Sequence, residues 1–181
     1  MCIRDRLRNA PHDLSGIKVG ILGLGNLGGK VAKAFKLFDS HVYYYSRTRK
    51  PDREVELGVT YLELEDLFQT VDILSINLNR DVCLIGGKNL ELFGKDKILI
   101  NTSIGRCYEI ESLKKWLQYK NNYYVCDAST TNFDDIKEIL NYENVIYTSE
   151  HVGETRQCFL RATEQILKNV RNAMETPHIE T

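Results

Sequence analysis

Apolar and polar positions along the chain follow two alternating rhythms. Short β-branched or aromatic runs fall at residues 18–22, 41–45, 59–61, 71–78, 98–100, 123–126 and 145–147. Each is too short for a helix and apolar enough for a strand covered on both faces. Between them apolar residues recur at three- and four-residue spacing: Val31, Ala34, Phe35 and Phe38 within 30–38, then 62–68, 88–93 and 111–119, and last the long amphipathic stretch 155–174. No element is assigned between Lys50 and Val59. Strands separated by helices in this order predict βαβ units and so an α/β fold. The expected architecture is a Rossmann-type doubly wound parallel sheet in three αβα layers, with right-handed crossovers.

Composition narrows the class of protein. At 181 residues with 43% hydrophobic and 27% charged positions, the chain can bury roughly 70% of its unfolded surface as one domain. That excludes a disordered or fibrous chain. A net charge of −1 leaves no basic surplus for nucleic acid. No apolar run approaches the roughly 20 residues of a membrane span, and no signal peptide opens the chain. The five cysteines, Cys2, Cys83, Cys107, Cys126 and Cys158, are widely spaced, with no metal-ligand pattern; they read as reduced thiols of a cytoplasmic protein without a metal. Residues 1–13 are read as a non-native or disordered leader. Met1-Cys2-Ile3-Arg4-Asp5-Arg6 has neither periodicity nor a cap, and its back-translation resembles the end of a transposase sequencing adapter. The dinucleotide-binding domain is expected over 14–176.

The chemistry starts at Gly23-Leu24-Gly25-Asn26-Leu27-Gly28. A lone G-x-G-x-x-G is weak evidence, but this one follows a β-branched strand, precedes a helix, and has a second strand ending about 20 residues on. Gly23 permits the tight turn, Gly25 lets backbone approach a pyrophosphate, and Gly28 lets the helix pack on the strand. The amides at the helix start, around Asn26 and Leu27, then receive the anion. The end of the second strand selects the dinucleotide. An NAD-selective fold places an acid there; this chain has Ser46-Arg47-Thr48-Arg49-Lys50. A hydroxyl followed by a guanidinium suits a 2′-phosphate. NADP(H) is the expected cofactor, with NAD(H) as the alternative and a solvated basic loop as the reading without a ligand.

From Leu14 to Met174 the chain resembles the nucleotide-binding domain of the D-isomer-specific 2-hydroxyacid dehydrogenases, a family that includes glyoxylate and hydroxypyruvate reductases. The likeness rests on residues 16–28, on the strand Val71-Asp72-Ile73-Leu74-Ser75-Ile76-Asn77-Leu78, on the block from Ile85-Gly86 to Asn101-Thr102-Ser103, and on Asn144-Val145-Ile146-Tyr147-Thr148. It implies hydride transfer between a nicotinamide and the 2-carbon of a small 2-oxo or 2-hydroxy acid. It also implies that this chain is the cofactor half of a longer, homodimeric enzyme whose substrate lobe is largely absent here. Asp127 matches the aspartate that meets the nicotinamide carboxamide. Asn77, Thr102 and Ser103 fall at strand ends where ligands gather.

The catalytic positions depart from the family pattern. The family's arginine, which clamps the substrate carboxylate, falls on Ile104; Arg106 stands two residues on. The family's glutamate falls near Asn132, with Asp134 and Asp135 just beyond. Alignment on Thr148 and Thr155 places Glu150 at the histidine position, and a shift of one residue places His151 there. Two readings therefore stand: a reductase using His151 as proton donor and Arg106 or an upstream residue as clamp, and a non-catalytic dinucleotide-binding module. Tyr43, Tyr44, Tyr45 and Trp116 read as packing residues. No chemistry is assigned to Cys107, Cys126, His12, His41 or His178.

Overall fold

A computed structural model of the chain describes residues 13–80, 82–127, 134–148 and 155–175. The elements run β1 (Lys18–Leu22), α1 (Asn26–Leu37), β2 (His41–Tyr45), α2 (Pro51–Leu57), β3 (Thr60–Tyr61), α3 (Leu64–Thr70), β4 (Ile73–Ile76), α4 (Gly87–Phe93), β5 (Ile98–Asn101), α5 (Ile110–Trp116), β6 (Tyr123–Asp127), a 3-10 turn (Asp134–Glu138), β7 (Val145–Thr148) and α6 (Arg156–Glu175). The strands form one parallel sheet in the order β3-β2-β1-β4-β5-β6-β7. Its central strands are apolar because both faces are covered; β4 is buried at all four positions.

The strand order fixes where the helices lie. The chain steps outward from β1 to β3, returns past β1 to β4, and continues to β7. With right-handed crossovers this places α1 and α2 on one face of the sheet and α3, α4 and α5 on the other. Two core clusters agree. Ala32 and Leu57 join Val19, Ile21, Val42 and Tyr44 on one side; Phe68, Phe93 and Trp116 join Leu74, Leu99 and Tyr124 on the other. Phe93 stacks on Trp116 with centroids 5.6 Å apart, and the indole N–H donates to the Gly94 carbonyl at 2.8 Å. The chain divides into two compact units, residues up to 148 and residues from 149 onward. In the second, α6 is exposed along its described side chains, with Phe159, Leu160, Ile166, Leu167, Val170 and Met174 forming its apolar positions.

The expected strands are all present, and so are the five expected helices, with shifted ends. Helix α1 begins four residues before the expected 30–38, because Asn26 and the glycines after it turn within the helix. Helix α2 was not expected. Pro51 at its first turn, Asp52 and Glu54 beside its N-terminal dipole, and Gly58 in the left-handed conformation (φ 62°) stop and start it, yet seven residues carry too few apolar positions for a stripe.

Buried amides tie the loops together. Asn122, fully buried, accepts the Lys97 N–H at 3.2 Å and donates to the carbonyls of Gly94 and Trp116, both at 3.1 Å. Asn122→Ala would strand these three backbone groups. The expected cost is about 2–3 kcal/mol, read as a lower midpoint with unchanged slope in urea unfolding.

Candidate functional site

Every strand of a parallel sheet points its carboxyl end to the same edge, so the segments leaving them meet there. The glycine turn leaves β1, residues 46–50 leave β2, Asn77 leaves β4, Thr102 and Ser103 leave β5, and Asp127 ends β6. Because β2 and β4 flank β1 while the chain reverses direction, the turn sits at the topological switch point.

The three motif glycines differ in what surrounds them. Gly23 has φ 97°, and a Cβ there would lie 2.5 Å from the Asn77 carbonyl oxygen. A Cβ on Gly28 would lie 2.1 Å from the Gly23 oxygen. Gly25 differs. Its φ of −85° and ψ of −158° are open to any residue, and a Cβ there would meet no protein atom within 4 Å. The backbone at 25 therefore does not itself call for glycine, and the space beside it is open to a group from outside. Gly25 caps α1, whose first turn has no side-chain cap and no acidic residue. The free amides of Asn26, Leu27 and Gly28 there suit an anion, so these residues fit a pyrophosphate.

The β2 loop is fastened to this turn. Ser46 Oγ accepts the Leu24 N–H at 2.9 Å, and Lys50 Nζ donates to the Leu24 carbonyl at 2.8 Å. Behind it, Arg49 donates from Nε and Nη2 to the two carboxylate oxygens of Glu54, each at 2.9 Å. The Tyr44 hydroxyl donates to Glu54 at 2.7 Å and accepts the Lys50 N–H at 2.9 Å. Arg49 also lies over the Tyr61 ring, 5.4 Å from its centroid. Arg47 and Thr48 are exposed. Sequence reading named Ser46, Arg47 and Thr48 as candidates and gave Lys50, Tyr44 and Glu54 no part in holding this loop, because contacts between a loop, a strand and an unrecognised short helix leave no periodic trace. Pro51 followed by two acids was the available signal.

This cluster sets a pH prediction. Hydrogen bonds from Arg49, then from Tyr44, hold the Glu54 carboxyl at about 2, below its ordinary 4.5. Burial, with the Glu54 bond second, pushes Tyr44 up to about 12. A carboxylate depressed in the folded state stabilises it fully above the unfolded value and loses that effect as pH falls through the folded one. The stability gap between wild type and Glu54→Gln is expected to be full at neutral pH and to close between pH 4.5 and 2, measured by denaturant unfolding across that range.

At β4 and β5 the side chains knit the strand ends together. Ser103, only 3% exposed, accepts the Leu78 N–H at 2.7 Å. Thr102 Oγ1 lies 3.0 Å from the Ile76 carbonyl and 3.2 Å from Asn77 Oδ1. Beneath them Asn101 accepts the Ser103 N–H at 3.0 Å and donates to the Tyr124 hydroxyl at 3.2 Å, which donates to Tyr108 at 2.9 Å. Asp127 is buried and engaged. Ile104 stands 44% exposed. Arg106 is itself engaged, and its charge, with that of Glu109, reaches the Cys83 thiol, which burial pushes up. His151, Glu150 and Asn132 lie outside the described residues, as do the side chains of Asp134 and Asp135. Among the described residues no group of three or more His, Cys, Asp or Glu could hold a metal, and no helix is long and apolar enough to cross a membrane.

Comparison with known proteins decides the family. The profile described as "D-isomer specific 2-hydroxyacid dehydrogenase, NAD binding domain" matches residues 3–153. The chain belongs to the D-isomer specific 2-hydroxyacid dehydrogenase family. It is 34% identical to a glyoxylate reductase of Aeropyrum pernix over 182 residues, covering 91% of this chain and 53% of that protein. It is also 34% identical to a glyoxylate reductase of Pyrococcus horikoshii over 149 residues, 78% of this chain and 43% of that one. The chain thus spans about half the length of the curated relatives it matches. Its fold is that of a D-isomer specific 2-hydroxyacid dehydrogenase from Lactobacillus delbrueckii ssp. bulgaricus in its NAD-complexed form (TM-score 0.78, 21% identity, 94% of this chain and 58% of that one). It is also that of a glyoxylate reductase from Paecilomyes thermophila (TM-score 0.77, 23% identity, 96% and 56%). The matched residues of this 2-hydroxyacid dehydrogenase family member include the Gly23-Leu24-Gly25-Asn26-Leu27-Gly28 turn and Asn101-Thr102-Ser103-Ile104.

Proposed function

We propose that this chain is the cofactor half of a reductase that passes hydride between NADP(H) and a small 2-oxo or 2-hydroxy acid. The observation that carries the reading is the open face of Gly25 at the switch point, beside uncapped amides of α1. The dinucleotide supplies the hydride chemistry. The chain's own residues bind and orient: the amides from Asn26 to Gly28 take the pyrophosphate, and Ser46, Arg47 and Thr48 take the 2′-phosphate. NAD(H) is the alternative cofactor, and the absence of an acid from 46–48 weighs against it. Asp127 meets the carboxamide, while Asn77, Thr102 and Ser103 shape the floor beneath it. His151 donates a proton to the substrate oxygen as hydride reaches carbon, and Arg106 or a residue of the substrate lobe holds the carboxylate. The longer protein is proposed to be a cytoplasmic homodimer.

Exposed Ile104 favours a second reading, a non-catalytic dinucleotide-binding module. Loss of a buried charge clamp costs roughly 2–5 kcal/mol. The deciding assay follows NADPH oxidation with glyoxylate, hydroxypyruvate and other 2-oxo acids, using the protein with its substrate lobe in place. Turnover is expected with at least one acid. Tight NADPH binding without turnover on the whole panel would establish the second reading.

A further inference from the structure

Residues 46–50 form a loop latched at two sites, and the latches sort its basic side chains into two groups. Lys50 is held to the glycine turn through Leu24. Arg49 is held bidentately by Glu54 and lies against Tyr61. Glu54 is only 15% exposed while Arg49 is 61% exposed, so the carboxylate is the fixed partner and the guanidinium is drawn to it. Tyr44, fully buried in the core, anchors Glu54 through its hydroxyl and at the same time receives the Lys50 N–H. The sheet therefore fixes the backbone at 50 and the side chain at 49 through one hydroxyl and one carboxylate. Arg47 and Thr48, between the Ser46 hold on the Leu24 N–H and these latches, are exposed.

We infer that Glu54, anchored by Tyr44, is a positioning residue that sets selectivity for a 2′-phosphate by holding Arg49 back and fixing the loop so that Arg47 and Thr48 meet the phosphate. Glu54 itself touches no part of the dinucleotide. The inference rests on the NADP(H) reading above. Its physical basis is preorganisation: a short loop fixed at folding needs no further ordering when the phosphate arrives, and bidentate pairing of Arg with a carboxylate is the stronger, directional form of the contact. A second carboxylate close to the phosphate would ordinarily repel it. Here the charge of Glu54 is matched by Arg49, so the loop keeps the positive charges of Arg47 and Lys50.

The test titrates the 181-residue chain with NADPH and NADH by fluorescence, and with 2′,5′-ADP and 5′-AMP as fragments, for wild type, Glu54→Gln and Tyr44→Phe. The wild type is expected to prefer the 2′-phosphorylated member of each pair. In both variants the ratio of affinities is expected to fall about tenfold, because the loss is confined to the phosphate-bearing partner. A ratio that stays unchanged overturns the proposal, and so does one that rises because released Arg49 grips the phosphate. An equal loss for both members of a pair also overturns it, since that is the signature of a merely structural role. Tyr44→Phe keeps the ring in the core and serves if Glu54→Gln fails to fold. A wild-type ratio near one overturns the NADP(H) reading itself and this inference with it; a clear wild-type preference with unmoved variants overturns this inference alone.

Discussion

Gly25→Ala is expected to leave the domain folded and to weaken dinucleotide binding at least a hundredfold. The added methyl enters space that contains no protein atom within 4 Å, and the backbone at 25 already has angles that alanine adopts. Alanine is a poorer helix cap than glycine, so stability should drop by no more than about 1 kcal/mol. On the proposed reading the methyl stands where the pyrophosphate approaches the α1 amides. Hydrogen bonds to a charged group contribute about 1.5–3 kcal/mol each, and displacing two of them accounts for the predicted loss. Gly28→Ala provides the contrast. Its methyl would lie 2.1 Å from the Gly23 carbonyl oxygen and 3.0 Å from Ile21, so the helix must move and stability falls by about 1–3 kcal/mol or more. Thermal unfolding and NADPH titration of the two variants separate the cases: binding lost with melting kept in one, both lost in the other. Undiminished NADPH affinity in folded Gly25→Ala would refute the assignment of the turn to a dinucleotide.

Arg47→Asp is expected to reverse the cofactor preference. The wild-type guanidinium is exposed, on a loop pinned at both ends, and its pairing with a 2′-phosphate would be charge-assisted and bidentate. Removing it costs about 1.5–3 kcal/mol, and the carboxylate adds repulsion toward the phosphate. NADPH affinity should therefore fall about a hundredfold. NADH carries no 2′-phosphate, and a carboxylate at 47 can accept from its ribose hydroxyls, so its affinity is expected to hold or rise. Paired fluorescence titrations read the effect directly, and parallel curves for the variant and wild type with NADPH would remove Arg47 from the site.

Much of this was legible in the sequence because the sheet is parallel and buried. A strand covered on both faces must be a short apolar run, so the central strands β1, β4 and β5 were visible as such, the β-branched and aromatic runs of the outer strands marked the rest, and their alternation with helices dictated the layers. The glycine turn was legible for the same reason: Gly23 and Gly28 answer to backbone sterics that a motif records. What escaped was held by contacts without period. Helix α2 has seven residues, and the Arg49–Glu54–Tyr44 cluster joins a loop, a helix and a strand at separations of five and ten residues. Arg49 stood in the same basic run as Arg47 and was given no role; only the structure shows that its charge is paired with Glu54. The same holds for Ser103, whose hydroxyl was placed beside the cofactor but serves first to fasten Leu78.

The double hold on Leu24 has a further consequence. Its N–H goes to Ser46 and its carbonyl to Lys50, so the glycine turn and the 46–50 loop, the two segments proposed to hold the dinucleotide, are fastened directly to each other. An adenosine fragment and a pyrophosphate fragment thus meet surfaces whose spacing is already set. The gain from joining those fragments into one molecule should approach the full chelate advantage of a linker without slack, and slow loop closure should not limit the rate at which the dinucleotide docks.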